Sequence, residues 1–283
     1  MTRLPAVAGL FYPAEKDKLK NTIKIFLAKA RPDFKEKPKA LIVPHAGYIY
    51  SGLIAAYGFK TIESYDFKEV ILLGPSHHFP FYGLALDENK FWQTPLKKTP
   101  LFEKKELLKE KEIFFKEKRI HQPEHSLEVE LPFLQTVLRN FKIMPLLTGT
   151  KTDITKTAKI LSCILKNDSL LVVSSDLSHY LPYNEAKKTD LQTINYILNK
   201  DVLSFLKNGE ACGKIAILIL LYIAKALNWQ SKLLIYANSG DTAGPKNQVV
   251  GYTAIAFYPE SQKATVVNPV RDRTPQAPDD CLR

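Results

Sequence analysis

The chain has 283 residues, 45% of them apolar and 24% charged, ordinary globular usage that excludes wholesale disorder. Its formal net charge of +11 is spread as lysine through segments such as KKELLKEKEIFFKEK (104–118). With no arginine-rich arm and no nucleic-acid-binding motif, it reads as a solvated Lys-rich surface rather than a nucleic-acid site.

Cys163, Cys212 and Cys281 are too scattered for a disulfide framework or a Cys-x-x-Cys site, which points to a reducing, cytoplasmic setting. The N-terminal MTRLPAVAGLFYP lacks the apolar core of a signal peptide. The most apolar segment, IAILILLYIAKAL (215–227), falls short of the roughly 18 residues that span a bilayer, so a buried helix is expected there. The abundance of Lys with Ile and Leu is also a composition that heat-adapted proteins use.

In chain order, residues 14–30 carry apolar side chains at 19, 23, 26 and 27, the spacing of an amphipathic helix. KALIVP (39–44) is a proline-bounded apolar run and predicts a buried strand that delivers HAGYIYSG. A short helix is expected over 52–61, then a second buried strand, KEVILLG (68–74), delivering PSHH. Residues 83–94 read as a strand with a loop or hairpin, and 103–118 as a charged, exposed helix. HQPEHSLEVELPFLQTVLRN (121–140) begins as a loop and turns helical, with Pro132 in the first turns. KIMPLLTG (142–149) reads as a strand that Pro145 assigns to an edge or strand end. Residues 153–166 have helical period. SLLVVSSD (169–176) is the clearest buried strand and delivers DLSHY. Helices follow over 184–199 and 210–227, then strands over 232–241 and 249–259. The alternation, with no linker or repeat, predicts one α/β domain over 1–260 whose mostly buried sheet is covered on both faces. Residues 261–283 lose periodicity and read as a mobile tail.

Four strand candidates end in reactive groups: His45, His77-His78, Asp176-x-x-His179 and Asp241. In open α/β sheets the ligand crevice lies outside the carboxyl ends of the strands. Each motif alone has a turn or cap explanation, whereas their recurrence at equivalent strand ends points to a site. Imidazoles with a carboxylate suit Fe, Zn, Cu or Mn. Serines 76, 174, 175 and 239 leave a hydrolase open, although no G-x-S-x-G elbow occurs. Phosphate-binding fingerprints are absent.

The ordered motifs VAGLFYP, PHAGYIYSG, LLGPSHH, EHSLEVELPFL, SSDLSHY and YANSGD resemble the Memo family, in microbes also called AmmeMemoRadiSam system protein B. The resemblance implies a three-layer α/β/α fold with a central mixed sheet, related to the class III extradiol ring-cleaving dioxygenases. It further implies His45 and His77 as metal ligands, His179 as an acid/base residue and Asp176 as its neighbour. It also implies a cysteine shortly after the YA-x-S stretch. Here that stretch offers Asp241 and Thr242 and no thiol, and Cys212 and Cys281 lie in other contexts. Asp241 is therefore taken as the third ligand, completing a two-histidine-one-carboxylate set for Fe(II), Cu or Zn. His78, His125 and Ser76 are placed in the pocket or behind it, and His121 at the surface. The expected function is a metal-binding, oxidoreductase-like protein acting on a small molecule. The alternative is a peptide- or protein-binding module that keeps the ancestral pocket. The family's microbial name implies an AMMECR-type protein and a radical-SAM enzyme as partners, with no membrane and no nucleic acid.

Overall fold

Apolar runs bounded by proline or glycine build the middle of the molecule, for which a computed structural model describes residues 1–260. The tail expected over 261–283 lies outside the described residues. The strands are β1 (Thr2–Arg3), β2 (Ala40–Val43), β3 (Glu69–Pro75), β4 (Leu84–Leu86), β5 (Phe91–Gln93), β6 (Lys98–Pro100), β7 (Phe114–Lys116), β8 (Lys142–Thr148), β9 (Ser169–Ser174), β10 (His179–Leu181), β11 (Trp229–Asn238) and β12 (Val249–Pro259). The helices are α1 (Lys16–Lys29), α2 (Tyr48–Lys60), α3 (Lys118–His121), α4 (Leu131–Val137), α5 (Ile154–Ile164), α6 (Tyr183–Leu198), α7 (Val202–Asn208), α8 (Lys214–Ala226) and α9 (Ser239–Thr242).

A nine-stranded mixed sheet runs β10-β12-β2-β9-β3-β8-β4-β7, with β11 beside β12. Its centre, β2, β9, β3 and β8, is parallel, and β12 and β4 add antiparallel flanks. The strands read as continuous apolar runs because both faces are covered. Leu41, Val43, Val70, Leu72 and Val172 pack into one core with Leu19, Phe59 and Phe133 of α1, α2 and α4. Their chain neighbours Ile42, Ile71, Leu73 and Val173 pack into the other with Leu161, Ile197, Phe205 and Ile217 of α5 to α8. Each such fully buried side chain stabilises the fold by roughly 1.5–3 kcal/mol. The result is the three-layer α/β/α arrangement. A second sheet, β1-β5-β6, lies beside it, joined through a bridge from Leu101, just past β6, to Ile143 of β8.

Four local expectations fail, each for a physical reason. Residues 103–118 form a 3-10 turn at Leu107–Lys109 and strand β7, because the five-residue gap from Leu108 to Ile113 breaks helical period and Leu107, Ile113 and Phe114 enter the second core. Strand β8 is internal despite Pro145, paired with β3 on one side and β4 on the other. Lys142 N–H donates toward β3 and Ile143 C=O accepts from Phe102 on the opposite side, so Pro145 also faces away from β3. There β4 pairs only with residues 146–148, and no ladder bond needs the missing N–H. His121 is buried rather than superficial, because its Nε2–H donates to the Ala85 carbonyl of β4 at 3.0 Å and its ring packs edge-on against Trp92. Finally, β11 stops at Asn238, which caps the single turn α9.

Candidate functional site

Parallel register brings the carboxyl ends of the inner strands together: Val43 pairs with Ser174 and Leu73 with Val173. His45 follows β2, His77 and His78 follow β3, and Asp176 follows β9. The loop between α7 and α8 docks on the end of β9 and adds Cys212. Cys212 N–H donates to the Asp176 carbonyl at 3.2 Å, Asp176 N–H donates to Cys212 Sγ at 3.2 Å, and Gly213 N–H donates to Ser175 Oγ at 2.9 Å. Gly213 is required by the close approach, since a Cβ there would lie 2.7 Å from the Ser175 Cβ.

Ligand-type atoms of His45, His77 and Cys212 lie within 4.8 Å of one another, and His45 Nε2 is 3.3 Å from Cys212 Sγ. That spacing fits a metal held at roughly 2.0–2.3 Å by nitrogen and sulfur. Each imidazole is held through its other nitrogen. His77 Nδ1 meets Glu124 Oε1 at 2.9 Å, and His77 N–H donates to Glu124 Oε2 at 2.6 Å. His45 Nδ1 meets Ser174 Oγ at 2.8 Å, and its backbone N–H donates to Asp176 at 2.9 Å. Such outer partners orient a ligating ring. A second cluster, His77, Glu124 and His125, meets the same spacing.

Electrostatics favour ligation by the histidines and oppose it at the Cys212 thiol. Burial, reinforced by His125 and His77, keeps His45 well below its ordinary pKa and hence neutral. Burial also pushes His125 down to about 4. Glu124 overcomes its own desolvation through the His77 ring and the His77 and Ser126 N–H groups, and is held well below the usual carboxylate range. Burial and the nearby Asp176 push the Cys212 thiol up to about 12. A metal would have to displace its proton, as metal binding to thiols does generally. Asp176 is pushed up to about 7 by burial, against the lowering His45 and Ala46 N–H bonds. Burial raises Glu130 well above its ordinary value.

These groups open into a cavity of about 870 Å³ whose wall includes Phe11, Tyr50, His78, His179, Tyr180 and Tyr252. Tyr180 adopts φ 60°, a left-handed conformation rare for a bulky side chain and worth attention at a pocket wall.

The structure thus brings His45, His77, His78, His125, Asp176 and His179 to one cavity. Ser76 does not line it: its hydroxyl donates to the Phe79 carbonyl at 2.9 Å and closes the turn. Asp241 does not join the donors. Its carboxylate accepts from Asn238 N–H at 3.0 Å, which closes the capping box of α9, and from the Tyr183 hydroxyl at 2.6 Å, and Thr242 donates to the Ser239 carbonyl. Asp241 thus stands outside the close grouping, which consists of the imidazoles of His45 and His77 and the thiol of Cys212. Sequence reasoning also passed over Glu124 as the partner of His77 and Glu130 as the partner of Ser174. The traces were a Cys-Gly pair just before the apolar helix and the acidic spacing in EHSLEVE.

Fold and site together define an α/β protein with a strand-end cavity where histidine and cysteine side chains are grouped closely enough that they could hold a metal ion. A family model described as Memo-like protein matches residues 3–256. A MEMO1 family protein of Aquifex aeolicus is 39% identical over 269 residues, covering 90% of this chain and 98% of its own. MEMO1 family proteins of Thermoplasma volcanium and Saccharolobus solfataricus are 32% and 36% identical, covering 90% and 91% of this chain and 98% and 99% of their own. The chain belongs to the Memo-like family. Among the described residues, no helix is long and apolar enough to cross a membrane.

Proposed function

We propose that His45, His77 and Cys212 hold one transition metal, iron or copper, and that the cavity serves oxidoreductase chemistry on a small molecule. The observation that carries this reading is the approach of three donor atoms from three separate elements to within 4.8 Å. Imidazole with thiolate favours Cu, Fe or Zn over the hard cations. When bound, the metal would supply redox or Lewis-acid chemistry. The chain's own residues do the rest: Asp176 and His179 hold or move a proton at the cavity wall, while Phe11, Tyr50 and Tyr252 present rings against which a flat ligand packs and water is excluded. The test is metal analysis of protein purified anaerobically, alone and with small aromatic diols under oxygen-uptake measurement. Stoichiometric iron or copper that is lost in a His45→Ala/His77→Ala double variant is expected. Metal-free native protein, or metal retained in that variant, overturns the reading.

A second reading rests on exposed apolar residues beside the wall in the chain. Leu10, Ile49, Phe79 and Tyr180 are 81%, 71%, 42% and 69% exposed. They suit a cavity that receives a peptide or protein segment, and the AMMECR-type and radical-SAM partners implied by the resemblance belong to this reading. Turnover of a small diol with no partner co-purifying from native lysate would reject it.

A further inference from the structure

Ser174, at the end of β9, carries one hydroxyl proton and faces three polar partners. Its Oγ lies 2.7 Å from the Ser126 carbonyl oxygen, 2.7 Å from Glu130 Oε1 and 2.8 Å from His45 Nδ1. All three residues around this hydroxyl, and the hydroxyl itself, are cut off from solvent: Ser126, Glu130 and Ser174 are 0% exposed and His45 is 2% exposed. Glu130 Oε2 meets no partner at all.

The protons can be counted. The Ser126 carbonyl only accepts, so the single Ser174 proton goes to it. An ionised Glu130 would then set a second pure acceptor 2.7 Å from a hydroxyl oxygen with no proton left to give, in a dry interior where an unmatched lone pair is costly. A carboxylic acid removes the conflict by donating its own O–H to Ser174 Oγ. With its proton spent on Ser126, Ser174 can only accept from His45. His45 therefore carries its proton on Nδ1 and turns a bare Nε2 toward Cys212 Sγ, 3.3 Å away.

We infer that Glu130 is a neutral carboxylic acid that acts through Ser174 as a positioning residue, fixing His45 in the Nδ1–H tautomer that leaves Nε2 free as a ligand. The inference rests on the metal-centre reading for its purpose, though not for its geometry. It makes the two histidines unlike: His77 is backed by the anionic Glu124, whereas His45 is backed by a charge-free hydroxyl and acid. A neutral amide at position 130 can make the same donation to Ser174, which separates this role from one that needs a negative charge.

Two measurements on the full chain decide the matter. Nitrogen-15 NMR of metal-free wild type is expected to find His45 protonated at Nδ1 and unprotonated at Nε2. Cobalt(II) titration, followed by thiolate-to-cobalt absorption, is expected to give a Glu130→Gln affinity within about threefold of wild type, and losses of roughly 10–100-fold in Ser174→Ala and Glu130→Ala, the size of outer-partner effects at metal sites. An Nε2–H tautomer in the wild-type chain overturns the inference, as does a Glu130→Gln loss equal to that of Glu130→Ala. Should wild type bind no cobalt, the metal reading fails by itself, and the NMR result still decides the tautomer.

Discussion

At the residue scale the third donor is the sharpest question, because Asp241 and Cys212 are both chemically plausible and only one is near the histidines. Cys212→Ser removes the thiolate and is expected to weaken cobalt binding by roughly 100-fold or more while abolishing the thiolate absorption. Asp241→Asn is expected to leave cobalt affinity unchanged and to cost no more than roughly 1 kcal/mol in denaturant unfolding, the usual worth of a helix cap. The reverse pattern would restore the carboxylate set. Glu124→Gln tests the other imidazole: the variant loses the anion behind His77, and cobalt affinity is expected to fall roughly 10–100-fold. An unaltered affinity would reduce Glu124 to a loop-organising residue, bonded to the His125 and Ser126 N–H groups.

At the scale of elements, the site depends on one loop docking on one strand end. Gly213 sits at φ −86°, so its need for glycine is steric: a Cβ would also lie 2.8 Å from Ser175 Oγ and 2.9 Å from the Ser174 carbonyl oxygen. Gly213→Ala is expected to cost roughly 1–3 kcal/mol, as overpacking does, and to lower cobalt affinity together with stability. Denaturant unfolding and cobalt titration of the same sample check this, and loss of stability alone would show that the loop shifts without moving Cys212. The same loop explains what sequence reading could reach. His45 and His77 were legible because each follows an uninterrupted apolar run, and a parallel sheet must bring such ends to one edge. Asp176 was legible for the same reason, whereas His179 opens the short strand β10, which pairs antiparallel with β12. Cys212 was not, since its place is set by contacts with Ser175 and Asp176 some 36 residues earlier in the chain, and it has no strand of its own to announce it. Asp241 misled because YANSGD looks like one more strand end, whereas Asn238 and Asp241 close a capping box around α9. Most of the sheet was visible in β-branched runs. The failures, 103–118 and Pro145, lie where side-chain burial or strand pairing overrode local pattern.

At the scale of the molecule, stability should depend on pH through histidines held neutral in the interior. His121 is fully buried. Its Nε2–H donates to the Ala85 carbonyl at 3.0 Å, and its Nδ1 has no partner. Burial outweighs the raising influence of Asp87, Ala85 and Glu124, Arg3 adds a further lowering, and the ring is pushed down from 6.5 to about 4. The unfolded chain therefore takes up a proton near pH 6.5 that the folded chain refuses until about pH 4. Stability from this group is complete above about 6.5 and falls as pH drops through the interval, by on the order of 3 kcal/mol in all. His125, also pushed down to about 4 by burial, adds to the loss in the same window when no metal is bound. The expected result is a denaturant midpoint that declines steadily between pH 7 and 4.5. In His121→Gln, whose amide can still donate toward Ala85, the decline should be distinctly shallower even if the variant is less stable at pH 7. Equal slopes in the two proteins would mean that His121 titrates freely in the fold, through local opening of the segment whose His121 and Glu124 carbonyls accept from Arg3, and that the acid sensitivity of the molecule resides elsewhere.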